Sequence, residues 1–410
     1  MNLLFLTKFY PFGTGEAFIE NEIEVLAKSF NKITIIACEV SEKDKNNIRK
    51  LPSNVEAFSI KLGSTKKDLI TGFLRKAGYD KNFKDEKKNC KGIVSKLYLD
   101  YFESKSQRIF SEIVKSEILK KALESPYMIY SYWFYTTARV AILISETNKP
   151  VKMFSRAHGY DLYKERNRAN YLPYRKLFLK TFDHIFPCSE NGTEYLNSLY
   201  SDHCSNVHTS YLGTVDHGLG KKSSDGIFRI VSCSRVVPLK RIDRIIRSLS
   251  ILEDTNFQIE WVHFGGGDDL KIIEKTAAEK LKKIKKIKFR FTGDVKNYDV
   301  LSHYSDFPVD LFINVSTTEG LPVSIMEAIS FGIPVIATDV GGTKEIVHDG
   351  YTGKLLRKDF EDNELAAEIV NFMQLSADVN DTYRNNCRKY WENNFKAQNN
   401  YHLLCEEVLA

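Results

Sequence analysis

Leu311-Phe312-Ile313-Asn314-Val315 is a short apolar run, Ser316-Thr317-Thr318-Glu319-Gly320-Leu321 is a mostly polar stretch, and Pro322-Val323-Ser324-Ile325-Met326-Glu327-Ala328 follows it. A brief apolar run bounded by turn residues reads as a buried strand, and Pro322 suits the first turn of a helix. The stretch is therefore a strand, a loop and a helix, the repeating unit of parallel sheets. With Ser324 as N-cap, Glu327 falls at N3 and completes a capping box. The same geometry also serves a ligand. Free N–H groups at a helix start attract phosphate, and a carboxylate one turn in can accept two O–H bonds from a diol. Glu319, in the loop, can reach another hydroxyl-rich group. Both readings stay open on these residues alone.

Outward from this unit the alternation repeats. Phe228–Ser234, Gln258–Phe264, Lys288–Thr292 and Pro334–Ala337 read as strands beside Leu311–Val315. In the first half the candidates are Leu3–Thr7, Lys32–Ala37, Met128–Tyr132, Lys152–Arg156, His184–Cys188 and Val207–Leu212. Helical stretches lie between several of them. In Glu16–Phe30, Ile19, Ile23, Leu26, Ala27 and Phe30 keep one face apolar. Strand–helix alternation implies parallel sheets covered on both faces.

His217-Gly218-Leu219-Gly220-Lys221-Lys222-Ser223-Ser224-Asp225-Gly226 is rich in Gly, Ser and Lys and reads as a linker. The prediction is a Rossmann-like domain over 1–216, a linker at 217–226, a second Rossmann-like domain over 227–391, and a terminal helix within 392–410, near Glu392–Val408. The stretch of about 61–122 resists a strand reading and is expected to be a basic helical insertion in the first domain.

The length of 410 residues fits two or three domains at roughly 100–200 residues each. Its 43% hydrophobic content excludes the disordered class. The formal charge is +6, and its placement is uneven. Residues 1–216 carry 33 basic and 25 acidic side chains, a net of +8, and the remainder is −2. Segment 61–96 alone holds 11 basic and 4 acidic residues, a net of +7. Such asymmetry points to an anionic surface or ligand, or to a solvated helix face. No apolar run reaches the roughly 18–20 residues that span a bilayer. Met1–Thr7 lacks a basic leader and reads as a strand, not a signal peptide. Seven scattered cysteines with no CxxC pair fit reduced, buried thiols and a cytoplasmic location.

Ligands of open parallel sheets bind beyond the carboxyl ends of the strands. Arg235 and Lys240 follow strand Phe228–Ser234 and can clamp a diphosphate, the former as a fork and the latter as a point charge. Taken in isolation, such a pair is more often surface salt bridging. Gly265-Gly266-Gly267 and Thr292-Gly293-Asp294-Val295 also follow strands; a tight turn explains the glycines as well as a close ligand does. In the first half, Gly13-Thr14-Gly15-Glu16 and Ala157-His158-Gly159-Tyr160-Asp161 hold comparable positions. There is no DxD, HExxH, P-loop or paired Cys/His spacing, so neither a metal nor another cofactor is expected.

Taken together, these residues resemble the retaining nucleotide-sugar glycosyltransferases of the GT-B fold, family 4. The resemblance covers most of the chain: Gly13–Glu16, Ala157–Asp161, Gly213-Thr214-Val215-Asp216, Arg235 with Lys240, Gly265–Gly267, and Glu319 with Glu327. Tyr10-Pro11-Phe12-Gly13-Thr14-Gly15-Glu16-Ala17-Phe18-Ile19-Glu20 is similar to members that build bacterial exopolysaccharide, capsule or O-antigen units. The resemblance implies an α/β architecture of two Rossmann-like domains facing across a cleft, with the C-terminal helix crossing back to the first.

It also implies roles. Arg235 and Lys240 bind the donor diphosphate and stabilise the departing phosphate, and Glu319 and His158 contact the transferred sugar. Glu327 holds the ribose. Gly320, Leu321, Val323 and Ser324 help with the phosphates, Gly265 lines the donor site and Val295 marks the base loop. Gly15 allows close approach, and Glu16 and Asp161 are acceptor-side candidates. The donor is a nucleotide sugar, with a UDP-sugar favoured over GDP-mannose. The acceptor is a glycan or polyprenyl-linked saccharide, with no nucleic acid. Leu62, Leu69, Ile70, Phe73 and Leu74 interleave with Lys66, Lys67, Arg75 and Lys76, a pattern suited to peripheral contact with anionic lipid or to packing on its own domain. Other readings of the scaffold are a UDP-sugar epimerase, a phosphorylase, or a degenerate sugar-binding or chaperone subunit.

Overall fold

The computed structural model describes residues 1–60, 80–116, 118–119 and 126–410. The chain divides into two compact units. One comprises Met1–Tyr211 with Tyr401–Ala410, the other Leu212–Asn400.

The first unit is built on a parallel sheet of β1 (Asn2–Thr7), β2 (Lys32–Ala37), β3 (Val55–Ser59), β4 (Tyr127–Ser131), β5 (Met153–Ala157) and β6 (His184–Pro187). Their order is β3-β2-β1-β4-β5-β6. β1 is buried from Leu3 to Thr7 and pairs Leu3 with Ile33 and Leu3 with Met128. A central strand covered on both faces needs apolar residues on both, which is why it reads as a continuous run. Helix Ile19–Ser29 lays Ile19, Ile23 and Leu26 on one face of the sheet. Leu404, Cys405 and Val408, from the terminal helix Ala397–Leu409, share that cluster.

Buried charge also ties this unit together. Arg156 and Glu22, both fully buried, pair at 3.2 Å, and the Tyr130 hydroxyl donates to Glu22 Oε1 at 2.6 Å. Helix Ile93–Lys115 is pinned by Glu103, which pairs with buried Arg139 at 2.8 Å.

The second unit carries β7 (Ile227–Cys233), β8 (Gln258–Phe264), β9 (Ile287–Phe291), β10 (Leu311–Asn314), β11 (Val335–Thr338) and β12 (Gly353–Leu356). The order is β12-β11-β10-β7-β8-β9, all parallel. Counted from its own first strand, this is the order of the first unit, the doubly wound Rossmann arrangement. In each unit the order reverses between two central strands, β1 and β4 or β7 and β10. The crevice at that switch point is where such sheets bind ligands.

Four readings of the sequence differ from the structure. β3 and β12 were not among the expected strands. Both are sheet edges, and β3 is half-buried throughout, so neither shows a continuous apolar run. Val207–Leu212 is not a strand; only Val207 makes an isolated bridge, to Ile185. The expected single helix Glu392–Val408 is two, Ala377–Asn394 and Ala397–Leu409, broken where Phe395 leaves helical geometry. The 217–226 stretch lies within the second unit. The Gly220 N–H donates to Phe331 O at 2.9 Å, and Ser223 binds Asp310 through both its N–H and its hydroxyl. Helices Lys81–Asn89 and Ile93–Lys115 account for the described part of the expected insertion. Leu62 through Lys76 lie outside the described residues.

Candidate functional site

In the second unit the expected residues gather at the carboxyl ends of β7 and β10. After β7, Pro238–Lys240 forms a short 3-10 turn, and the Thr317 N–H donates to Leu239 O at 2.8 Å, joining the two strand-end loops. This brings Lys240 Nζ to 2.6 Å from Glu319 Oε1. Asn314 Nδ2 donates to the same oxygen at 3.2 Å, and its own carbonyl oxygen accepts from Ser316. Both partners of the ion pair are mostly sheltered, at 20% and 11% side-chain exposure, so the pair is screened less than a surface bridge. Arg235 stands exposed on the same loop, and its guanidinium makes no ion pair or hydrogen bond with a described residue.

Glu327 is buried in helix Val323–Ser330, where Asn297 Nδ2 donates to its Oε1 at 2.8 Å. Burial pushes its carboxyl up to about 7, and the Asn297 bond offsets this only in part. The capping box does not form. The N-cap is Pro322, no side chain caps the helix, and Glu327 faces Asn297 rather than the backbone of Ser324. Proline ends the preceding extended segment one position before the helix, which leaves Glu327 too far along to reach back. Val323 and Ser324 are therefore in the first turn of an uncapped helix, and Leu321 is buried beside it. Cys233, at the end of β7, lies in the field of both Glu327 and Lys240. Burial, then Glu327, push its thiol up to about 12 while Lys240 pulls it down.

The glycines here serve backbone approach between loops. A Cβ on Gly265, whose φ is +128°, would sit 2.0 Å from Ser234 O, and one on Gly341 would sit 2.0 Å from Glu319 O. Gly342 N–H donates to Gly320 O at 2.8 Å. The 339–345 turn therefore props the Glu319–Gly320 loop from behind. Gly266 N–H donates to Asp294 Oδ1 at 3.1 Å, tying in the loop that exposes Val295.

In the first unit Glu16, His158 and Asp161 gather around Trp133. Glu16 adopts a left-handed backbone, φ 56°, and turns its carboxylate back on its own loop. It accepts from the N–H groups of Lys8, Phe9 and Tyr10 at 3.1, 2.6 and 2.6 Å, and from the Trp133 indole N–H. Both oxygens are committed, so the carboxylate locks the loops after β1 and β4 together. Asp161 is likewise committed: its oxygens accept from the N–H groups of Phe134 and His158, each at 2.9 Å. Burial pushes its carboxyl up, but His158, whose Nδ1 lies 3.7 Å away, and these N–H groups outweigh that and hold it below the usual range. Glu16 and Asp161 are thus scaffolding in this structure.

His158 is different. It is buried against Tyr132 and Trp133, with ring centroids at 4.8 and 4.5 Å, and neither ring nitrogen has a hydrogen-bond partner. Gly15 has an ordinary φ; a Cβ there would press on Phe9 at 3.0 Å.

Trp133, Asn297 and Asn314 are central to these arrangements and were not singled out from the sequence. Trp133 and Asn297 lie 117 and 30 residues from their partners, where no local signal reaches, whereas Asn314 stands only 5 residues from Glu319, inside an apolar strand run.

Residues 221–393 match the family described as glycosyl transferases group 1. The chain is 24% identical over 195 residues to the GtfA subunit of the UDP-N-acetylglucosamine–peptide N-acetylglucosaminyltransferase of Streptococcus pneumoniae, covering 46% of this chain and 36% of that protein. It is 26% identical over 244 residues to protein CapJ of Staphylococcus aureus, covering 58% and 55%. The chain thus spans about a third to a half of the length of these curated relatives. Among solved structures, HepE of Anabaena in complex with UDP superposes with a TM-score of 0.67 at 16% identity, over 100% of this chain and 99% of that one. The fold is GT-B, with two Rossmann-like domains.

Proposed function

We propose that this chain is a retaining glycosyltransferase that moves a sugar from a UDP-sugar to a hydroxyl of a glycan or lipid-linked saccharide, in the synthesis of bacterial surface polysaccharide. The observation that carries the reading is the Lys240–Glu319 pair at the second unit's switch point, beside the uncapped start of helix Val323–Ser330. Supporting it are the group 1 match over 221–393 and the UDP named with HepE.

In this reading the leaving diphosphate meets Arg235, Lys240 and the N–H groups of Val323 and Ser324. As the bond from the anomeric carbon to the phosphate oxygen breaks, positive charge grows on the sugar and negative charge on the phosphate. Preorganised cations and N–H dipoles stabilise that negative charge. The acceptor oxygen bonds to the anomeric carbon on the same face, and its proton passes to the departing phosphate oxygen. No metal is called on, because the two cations supply the neutralisation. Glu319 shares Lys240 with the phosphate and can contact the sugar, and Glu327, when ionised, accepts from two ribose hydroxyls. Gly265 and Val295 border the donor. The enzyme works in the cytoplasm, and the basic 61–96 segment contributes to contact with the inner face of the membrane.

A thermal-shift screen against UDP- and GDP-sugars tests the donor. A ligand at 100 times its Kd adds about 2.7 kcal/mol of stability. No shift with any UDP-sugar, together with no donor hydrolysis, would overturn the reading.

A further inference from the structure

Three arginines follow Lys240, at the entry of helix Ile242–Ile251 and along its first two turns: Arg241, Arg244 and Arg247. Two of them meet a carboxylate. Arg244 and Arg247 both pair with Asp362, at 2.5 and 2.7 Å. Arg241 does not. Its guanidinium donates to backbone carbonyls: Nε to Val315 O and one terminal nitrogen to Lys358 O, both at 2.6 Å, and the other terminal nitrogen to Ser316 O at 3.3 Å. Burial, then the neighbouring Arg244, lower its pKa, with Asp243 acting the other way. An ion pair among the described residues therefore does not explain this arginine.

Its backbone does not call for an arginine either. Arg241 has φ 50° and ψ 42°, the left-handed region, where a Cβ is crowded and glycine is at ease. A glycine would make this turn without strain. What the arginine adds is its side chain, and the surrounding bonds hold the strained backbone in place.

The carbonyls it binds show what that side chain does. Val315 and Ser316 directly follow β10 and open the loop that carries Glu319. The Ser316 carbonyl also accepts from the Thr338 hydroxyl at 2.6 Å, at the end of β11. On the other side of Lys240, the Leu239 carbonyl accepts from the Thr317 N–H at 2.8 Å and from its hydroxyl at 3.3 Å. Leu239 and Arg241 are thus each anchored to 315–317, and Lys240 stands between the two anchors. A lysine stem is flexible, so the 2.6 Å approach of Nζ to Glu319 Oε1 depends on both backbones being fixed. A planar guanidinium suits that task, because its donors point in fixed directions and can bridge the carbonyls of successive residues.

We propose that Arg241 is a positioning residue for sugar transfer: by tying the Val315 and Ser316 carbonyls to its own turn, it sets Lys240 against Glu319 where the leaving diphosphate is neutralised. The inference rests on the transferase reading and adds to it a residue that acts through Lys240. A displacement of about 1 Å at such a group can cost on the order of a hundredfold in rate.

A double-mutant cycle on turnover tests it. Arg241→Gly keeps the left-handed turn and removes the guanidinium. Its kcat is expected to fall at least tenfold, with the donor KM within threefold of the parent. Lys240→Ala/Arg241→Gly is expected to match Lys240→Ala alone within threefold, because no ammonium is left to position. A purely structural role would instead multiply the two losses. Arg241→Lys, which keeps the charge and loses the fork, carries the same cycle if Arg241→Gly does not fold. Parental kcat and KM in Arg241→Gly, or a double variant at least tenfold below Lys240→Ala, would overturn the inference and leave the diphosphate clamp standing. Parental kcat in Lys240→Ala would overturn the clamp and this inference with it.

Discussion

The two switch points are topologically equivalent and differ in what partners their charged groups. In the first unit, Glu16 and Asp161 accept hydrogen bonds from five backbone N–H groups between them and from the Trp133 indole. Their charge is spent on holding loops. In the second unit, Lys240 and Glu319 face each other, Arg235 is exposed, and Glu327 has a single Asn297 donor in a buried place. There the charged groups face one another, apart from exposed Arg235 and from Glu327, which meets an amide. The first-unit carboxylates clamp loops, and the proposed function makes those of the second unit ligand groups.

The contrast predicts that first-unit variants lose stability while second-unit variants lose turnover. The largest effect is expected for Glu16→Ala, which strands three backbone N–H groups and an indole N–H. Denaturant unfolding should show a loss of about 3 kcal/mol. A change below 1 kcal/mol would mean the clamp is dispensable. Next comes Lys240→Ala, for which kcat should drop at least a hundredfold, about 2.7 kcal/mol of barrier, with the melting curve unchanged. Near-normal turnover would remove Lys240 from the diphosphate clamp.

Glu327→Gln separates the two roles in one residue. A carboxyl raised from about 4.5 to about 7 binds more protons folded than unfolded, so it erodes stability as pH rises through that window. The Gln variant should therefore be more stable above pH 7, on the order of 2 kcal/mol, with the gain vanishing towards pH 4.5. Donor affinity of the parent should weaken as pH falls through about 7, and the Gln variant should lose that dependence. A pH-independent stability difference would contradict the burial argument. The smallest effect is expected for Arg235→Ala: about a tenfold loss in kcat/KM, with stability within about 0.5 kcal/mol of the parent. A larger stability loss would show that Arg235 has a structural role.

Buried central strands were legible because two covered faces demand continuous apolar runs, as in Leu3–Thr7 and Leu311–Val315. The edge strands β3 and β12 were not, because a half-covered strand needs only partial apolar content. Glycine positions were legible as turns, but which loop each glycine admits, as Gly341 admits the carbonyl of Glu319, was not.

The amino-acid sequence by itself determined the alternation, the two Rossmann-like sheets and the chemical types at the strand ends. These follow from local periodicity and from where polar residues interrupt it. The tertiary structure alone decided which charges are spent. Glu16 and Glu319 look alike in the sequence, each a glutamate beside a glycine in a strand-end loop. One meets three backbone N–H groups and an indole, the other a lysine on a neighbouring loop and the amide of Asn314. Those partners are brought together by sheet order and loop contact, which no local pattern encodes.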